Sequence, residues 1–285
     1  MEHIGVIGLG RMGSAIARRM QAKGHAVKGW TRSGKPVDGV ESAESLQSLA
    51  NTADTLILSL FDDAAVASVL DRLLLLDLAA KQIIDTSTVV PEILKSRATA
   101  FAGMGASVVD APISGGPELV MAGKCGVFIG GDLKSATRAE AVLGSISDRI
   151  FHVGPLGAGL VMKVVNNGMI QTYFNGLAEL MPLAREAGLP LETALRILSG
   201  GPAGMPMVAD RIPKVLGEDT AVGFTNSAVF KDNDVFRRVV QSFGLASGSL
   251  SAFGAREPEL RAAGLAEEDP AALIRWAYEH GGGEA

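Results

Sequence analysis

The chain has a single cysteine, Cys125, among 285 residues. No intrachain disulfide is possible, which points to a reducing compartment. Histidine is also scarce: His3, His25, His152 and His280 are scattered without metal-ligand spacing, so no metal site is expected. No apolar run approaches the roughly 18 residues that mark a spanning helix. The N-terminus has no signal-peptide pattern, because Gly8, Gly10 and Gly13 interrupt its apolar stretch and Arg11 stands among them. Excess positive charge is missing. The net charge is -5, which argues against nucleic acid or an anionic membrane as the main partner. Nor is there a solenoid repeat. A soluble cytoplasmic protein is expected. What is present is apolar content for a sizeable core, 47% hydrophobic against 20% charged, which excludes disorder. The length suggests two domains. The 35 glycines cluster at a few motifs instead of forming a low-complexity run.

The first half alternates short apolar runs with helical spacing, the pattern of a mostly parallel, doubly wound sheet. Ile4-Gly5-Val6-Ile7 leads into Gly8-Leu9-Gly10-Arg11-Met12-Gly13, and Ala15, Ile16 and Met20 then take up helical spacing. Strand, glycine turn and helix in that order suit a dinucleotide. The first glycine makes the turn, the second admits the pyrophosphate and the third lets helix and strand pack closely. The pyrophosphate then meets the free N–H groups of the helix start. After a second strand, about Ala26–Trp30, stands Thr31-Arg32-Ser33-Gly34-Lys35. An NAD site wants an acid there for the ribose 2'-hydroxyl, and none is present. Arg32 is the right cation for a 2'-phosphate, with Ser33 and Lys35 beside it, so NADP(H) is expected in preference to NAD(H); the competing reading is a solvated loop charge.

Thr55–Leu60 reads as a third strand, and the loop after it, Leu60-Phe61-Asp62, is expected to pass under a ribose. Asp62 or Asp63 also suits the cap of a helix over Ala64–Leu76. Ile83–Asp85 is a fourth strand, followed by Thr86-Ser87-Thr88, with Pro91 near the next helix start. Ser107–Asp110 is a fifth, running into Ala111-Pro112-Ile113-Ser114-Gly115-Gly116-Pro117. A hydroxyl beside two consecutive glycine amides suits a carboxylate, although taken alone the stretch reads better as an ordinary β-turn. Gly126–Gly131 is another strand with a turn, Asp132 suits a helix cap, and a last strand near Phe151 ends the domain at about Pro155.

One long helix is expected from Gly157 to about Ala187, with Pro182 kinking it about one turn before its end. Lys163 and Asn167 stand at i and i+4, on one face. Leu160, Val161, Val164, Val165 and Met169 cover most of the remaining circumference, so the helix is expected to be buried all round. A lysine there is costly to bury without a partner or a task; the competing reading is a structural lysine reaching for a backbone carbonyl. The rest reads as helix: Leu191–Leu198, pieces around Met205–Leu216 broken by Pro206 and Pro213, Ser227–Phe243 with Lys231-Asp232, Glu257–Ala263 and Pro270–His280. The tail from Gly281 to Ala285 is expected to be disordered.

Four motifs thus fall in one order: Gly8-x-Gly10-x-x-Gly13, Asp110-Ala111-Pro112-Ile113-Ser114-Gly115-Gly116, Gly157-x-Gly159-x-x-x-Lys163-x-x-x-Asn167, and Lys231-Asp232. That set resembles the β-hydroxyacid dehydrogenase family, which includes 3-hydroxyisobutyrate dehydrogenases and glyoxylate/succinic semialdehyde reductases, over almost the whole chain. The resemblance implies an N-terminal Rossmann domain, residues 1-155, and an all-α C-terminal domain, residues 156-285, joined by the long interdomain helix. It implies an oxidoreductase acting on CH–OH groups that interconverts a small β-hydroxyacid and its semialdehyde or ketoacid.

The resemblance also distributes the roles. Ser114, Gly115 and Gly116 hold the substrate carboxylate, Lys163 is the catalytic lysine and Asn167 orients the substrate. Lys231 lies near substrate and nicotinamide. Gly8, Leu9, Gly10, Arg11, Met12, Gly13, Thr31, Arg32, Ser33, Leu60, Phe61, Asp62 and Thr88 form the cofactor site. Lys163 is expected to donate the proton to the developing alkoxide and, in the other direction, to accept it if its pKa is lowered, as burial and a nearby Lys231 cation would do. A homodimer or homotetramer is implied. The loop after Gly116 departs from the pattern: Pro117-Glu118-Leu119-Val120 and Ala122-Gly123-Lys124-Cys125 replace small residues and an Ala-Gly-Thr-Leu turn. This keeps an imine reductase on the same fold as an alternative, against which Lys163 argues. A dinucleotide-binding scaffold without chemistry is the alternative of another class.

Overall fold

Each apolar run of the first half forms a strand, and the amphipathic stretches between them form helices. The computed structural model describes residues 1–281, so the tail beyond Gly281 lies outside the described residues. In chain order the first elements are β1 (His3–Ile7), α1 (Arg11–Ala22), β2 (Ala26–Trp30), β3 (Glu41–Ser42), α2 (Leu46–Thr52), β4 (Thr55–Leu58), α3 (Asp63–Leu73) and β5 (Gln82–Asp85). Next come α4 (Glu92–Gly103), β6 (Ser107–Asp110), β7 (Ile113–Ser114), α5 (Pro117–Ala122), β8 (Gly126–Gly130), α6 (Leu133–Leu143) and β9 (Arg149–Gly154). The chain divides into two compact units, Met1–Asn166 and Asn167 onward. The long helix α7 (Ala158–Glu186) begins in the first unit and continues in the second.

The first unit is a sheet of order β3-β2-β1-β4-β5-β6-β8-β7, with β9 beside β8. From β3 to β6 every pairing is parallel; β8 meets β6 and β7 antiparallel. Helices cover both faces, and the strands supply them alternately. Ile57, Ile84 and Val109 enter one core, while Leu56, Leu58 and Ile83 enter the other. That is why the strands read as continuous apolar runs, not as alternating ones. Strand order reverses between β1 and β4, and in such sheets ligands bind at the carboxyl ends of the strands beside the reversal.

The second unit is helical. After α7 come α8 (Leu191–Ser199), α9 (Pro206–Ala209), α10 (Ile212–Leu216), α11 (Asn226–Ser242), α12 (Gly248–Gly254), α13 (Glu257–Ala262) and α14 (Ala271–His280). Pro206 and Pro213 each stand in the first turn of a short helix, where a missing N–H costs nothing. Phe174, Leu177, Met181, Leu195, Phe230, Phe253 and Ile274 build the core, with the Phe230 and Phe253 rings stacked at 5.2 Å. A polar line runs through it: Asn233 donates to Gln171 Oε1 (2.9 Å) and to the Leu250 carbonyl (3.0 Å).

One expectation is overturned. α7 is not buried all round within the chain: Val165, Met169, Leu180 and Leu183 are all more than half exposed. Its covered stripe is Leu160, Val164, Phe174, Leu177, Ala178 and Met181. Apolar residues around the whole circumference outnumber the surface that neighbouring elements supply. The helix is continuous through Pro182. Among the described residues no helix is long and apolar enough to cross a membrane.

Candidate functional site

The ends of β1, β2, β4, β5 and β6 share one edge of the first unit, and their loops are tied together by backbone geometry. Gly8 donates its N–H to the Trp30 carbonyl at the end of β2 (2.9 Å), and Ser59 donates to Ile7 (2.9 Å). Ser87 Oγ accepts from the Leu60 amide (2.9 Å), and Thr86 Oγ1 donates to the Leu58 carbonyl (2.6 Å). The β4 and β5 loops are thereby held to each other.

The glycine turn fits a dinucleotide on three separate grounds. Gly8 has φ +93°, and a β-carbon on it would overlap the Ser59 carbonyl oxygen. A β-carbon on Gly13 would overlap the Gly8 carbonyl oxygen, so α1 crosses the turn at a distance only glycine permits. On Gly10 it would meet no atom within 4 Å, which leaves open space above the turn. Helices α3 and α6 are capped by Asp62 and Asp132, but α1 has no side-chain cap. Its first N–H groups are the kind that take a phosphate. Leu9 is buried; Arg11 is exposed and Met12 half-buried. Arg32 and Ser33 are exposed in the turn after β2, where Gly34 donates to the Thr31 carbonyl (3.1 Å). Phe61 is exposed, Thr88 is half-buried, and Asp62 caps α3 through the Ala65 amide (2.8 Å).

The β6 loop and the start of α7 form the other side of the edge. Asp110, buried at the end of β6, accepts from the amides of Gly157 (2.6 Å) and Leu160 (2.7 Å) and so caps α7 from across the fold. Burial raises its pKa to about 6, against the pull of these same amides. A β-carbon on Gly159 would overlap the Phe128 carbonyl oxygen and stand 2.8 Å from Asp110 Oδ2, so this glycine admits the helix to the sheet.

About one turn further, α7 reaches the predicted carboxylate loop. Lys163 is 5% exposed, and its Nζ donates to the Ile113 carbonyl at 2.5 Å. Asn166 donates its Nδ2 to Ser114 Oγ at 2.9 Å. The structure therefore brings Lys163 and Ser114 to one place, with Gly115 (φ +126°) and Gly116 following. Asn167 and Lys231 belong to the second unit. Lys231 is ion-paired with Asp232 at 2.7 Å, so its charge is compensated within α11.

Asn166, Asp110 and Asp85 carry contacts to which the sequence reading gave no role. Asn166 lies at i+3 from Lys163, which also shares its face, so helical spacing alone would have flagged it. Asp85 is buried beside Asp110, its register partner on the adjacent strand. Its pKa is raised to about 7, first by burial and further by Asp110, while the Ser87 hydroxyl and amide pull it down. Nothing in an apolar strand ending in Asp announces that pairing.

The first half matches the family described as the NAD binding domain of 6-phosphogluconate dehydrogenase, over residues 3–154. Residues 157–277 match the family described as NAD-binding of NADP-dependent 3-hydroxyisobutyrate dehydrogenase. A 3-hydroxyisobutyrate dehydrogenase of Pseudomonas aeruginosa is 34% identical over 220 residues, 70% of this chain and 71% of the relative. An NAD-dependent L-serine dehydrogenase of the same organism is 28% identical over 267 residues, 85% of this chain and 86% of the relative. Among solved structures, a 3-hydroxyisobutyrate dehydrogenase of Mycobacterium tuberculosis with L-serine superposes with a TM-score of 0.85 at 27% identity, covering 96% of this chain and 98% of that one. Matched in order through both halves, this protein belongs to the β-hydroxyacid dehydrogenase family, oxidoreductases that act on CH–OH groups with NAD(P).

Proposed function

We propose that the protein interconverts a small β-hydroxyacid and its semialdehyde or ketoacid with NADP(H) in preference to NAD(H), Lys163 serving as the general acid and base. The observation that carries this reading is the pair of bonds from α7 to the β6 loop: Lys163 to Ile113 and Asn166 to Ser114. They set a buried ammonium beside the hydroxyl and the two glycine amides suited to a carboxylate. The nicotinamide cofactor, when bound, supplies or takes the hydride. The Gly8–Gly13 turn and the start of α1 would hold its pyrophosphate, and the loops of Thr31–Ser33, Leu60–Asp62 and Thr88 its riboses. Ser114 and the Gly115 and Gly116 amides hold the substrate carboxylate, and Asn167 orients the reacting oxygen. The proton for that oxygen comes from Lys163 Nζ. An ammonium has three donors, so the bond to Ile113 anchors the group without exhausting it.

The preference for NADP(H) rests on Arg32, exposed after β2 where no acid stands. Arg32→Ala is expected to raise the KM for NADPH about tenfold and leave that for NADH within about twofold, as losing one charge-assisted contact implies. Equal changes for both cofactors would place the 2'-phosphate elsewhere. The reading as a whole is tested by cofactor consumption on glyoxylate, succinic semialdehyde, methylmalonate semialdehyde, tartronate semialdehyde and one cyclic imine. Turnover of an aldehyde acid that depends on Lys163 supports it. Turnover of the imine alone would make the chain an imine reductase, and NADPH binding without turnover would favour a scaffold. The exposed Val165, Met169, Leu180 and Leu183 of α7 support assembly into a homodimer or homotetramer, which light scattering measures. The lone cysteine, buried in the first unit, supports a cytoplasmic location.

A further inference from the structure

The segment after Gly116 places a carboxylate against the loop proposed to take the substrate. A β-carbon built on Gly116 would overlap Glu118 Oε1 and lie 2.6 Å from Oε2. The Glu118 side chain therefore folds back over the Gly116 α-carbon from the first turn of α5. Glu118 is exposed, while Ser114 and Gly116 are half-buried. Gly115, with φ +126°, turns the chain between Ser114 and Gly116. An anion bound by these amides would have a second carboxylate at its side.

Charge then decides what fits. A carboxylate beside an anion site disfavours every anionic substrate. It disfavours one bearing two negative charges more, and it offers an acceptor to a cation on the carbon next to the bound carboxylate. We infer that Glu118 is a specificity-determining residue that selects β-hydroxyacids carrying an α-ammonium group over those carrying hydrogen or a second carboxylate at that carbon. This deepens the proposed function and rests on it for the carboxylate-binding loop. The substrate's carboxylate meets Ser114, Gly115 and Gly116, its ammonium meets Glu118, and its β-hydroxyl is left toward Lys163. The ammonium is a spectator: the hydride and the hydroxyl proton leave the substrate as in the proposed reaction.

Three ligands that differ only at the α-carbon isolate the effect: L-serine, 3-hydroxypropionate and 2-(hydroxymethyl)malonate. Their affinities for the NADP⁺-loaded protein are measured by calorimetry, for the natural chain and for Glu118→Gln. The natural protein is expected to bind L-serine about fivefold more tightly than 3-hydroxypropionate, near the upper range for an exposed pair. Glu118→Gln should reduce that preference to within about twofold and tighten the dianion about fivefold. The substitution keeps size and exposure, so an unchanged melting temperature accompanies the result. Preferences that do not move between the two proteins overturn the role of Glu118, even if turnover depends on Lys163. Preferences that move as expected, without turnover that depends on Lys163, sustain the role of Glu118 and remove the acid–base assignment instead. Failure of all three ligands to bind overturns the carboxylate loop and this inference with it.

Discussion

Lys163→Ala is expected to lower kcat on an aldehyde acid by about a thousandfold, within the range for a lost general acid, while the affinity for NADPH stays within about twofold. The expected loss is large because no other ammonium of the first unit is bonded to the β6 loop in the way that Lys163 is, through the Ile113 carbonyl. The cofactor turn is built from other residues, Gly8 to Gly13 with the start of α1, which is why cofactor binding should survive. Truncation also leaves the Ile113 carbonyl without this partner in a buried position, at a cost of about 1–3 kcal/mol. A lowered melting temperature is thus part of the expectation and does not by itself explain lost turnover. Lys163→Met fills the space and so removes a cavity as the cause of lost turnover, while it loses the same bond and cannot donate a proton. If either variant turns over at near the natural rate, Lys163 is a structural lysine and the proton comes from elsewhere. Asn166→Ala makes the complementary case: it removes the bond to Ser114 Oγ and should raise KM more than it lowers kcat.

How much of this was legible before folding depends on whether a residue acts locally or across the sheet. Gly8, Gly10 and Gly13 act within one turn, and their spacing alone announces it. So does the alternation of apolar runs that became β1, β4, β5 and β6. Lys163 was legible for a different reason: an ionisable residue in an apolar helix is expensive, and its cost draws attention. The contact that explains it, to Ile113, spans 50 positions and is absent from any local pattern. Asp110 shows the same limit. It reads as the polar end of a strand, but it is the cap of a helix that begins at Ala158. The short α2, α5 and α12 were missed because segments of six or seven residues contain too few periods to stand out. Burial of α7 was overestimated because sequence counts apolar residues, whereas the fold decides how many neighbours there are to cover them.

Stability of the first unit should fall as the pH rises from about 4 to 8, the reverse of the usual carboxylate behaviour, and Asp85→Asn should remove much of the fall. Asp85 has a folded pKa of about 7, raised by burial from an ordinary value of 3.8. Asp110 is raised to about 6 for the same reason. Between the unfolded and folded values the native state holds more protons than the unfolded one, so stability decreases with pH. The contribution is complete below about pH 4 and is lost through pH 7. For Asp85 alone, linkage over that interval corresponds to roughly 4 kcal/mol. The two residues are register partners on β5 and β6, so their protons come off as a pair and their effects do not simply add. Asparagine at 85 keeps an oxygen for the Ser87 amide, now bonded at 2.9 Å, and abolishes the charge. The variant should therefore exceed the natural protein in stability at pH 8 and not at pH 4.5. Asp110→Asn should behave oppositely, because it gives up one of the two oxygens that receive Gly157 and Leu160 and loosens the turn leading to Lys163. A loss of about 2–3 kcal/mol at pH 8, together with lowered kcat, is expected. Urea unfolding at pH 4.5, 6, 7 and 8, followed by the fluorescence of Trp30 in a Trp276→Phe background, reads the first unit separately. A natural protein whose midpoint rises steadily from pH 4.5 to 8 would mean that both aspartates are charged and compensated throughout, and that the end of β6 holds α7 as a carboxylate at every pH.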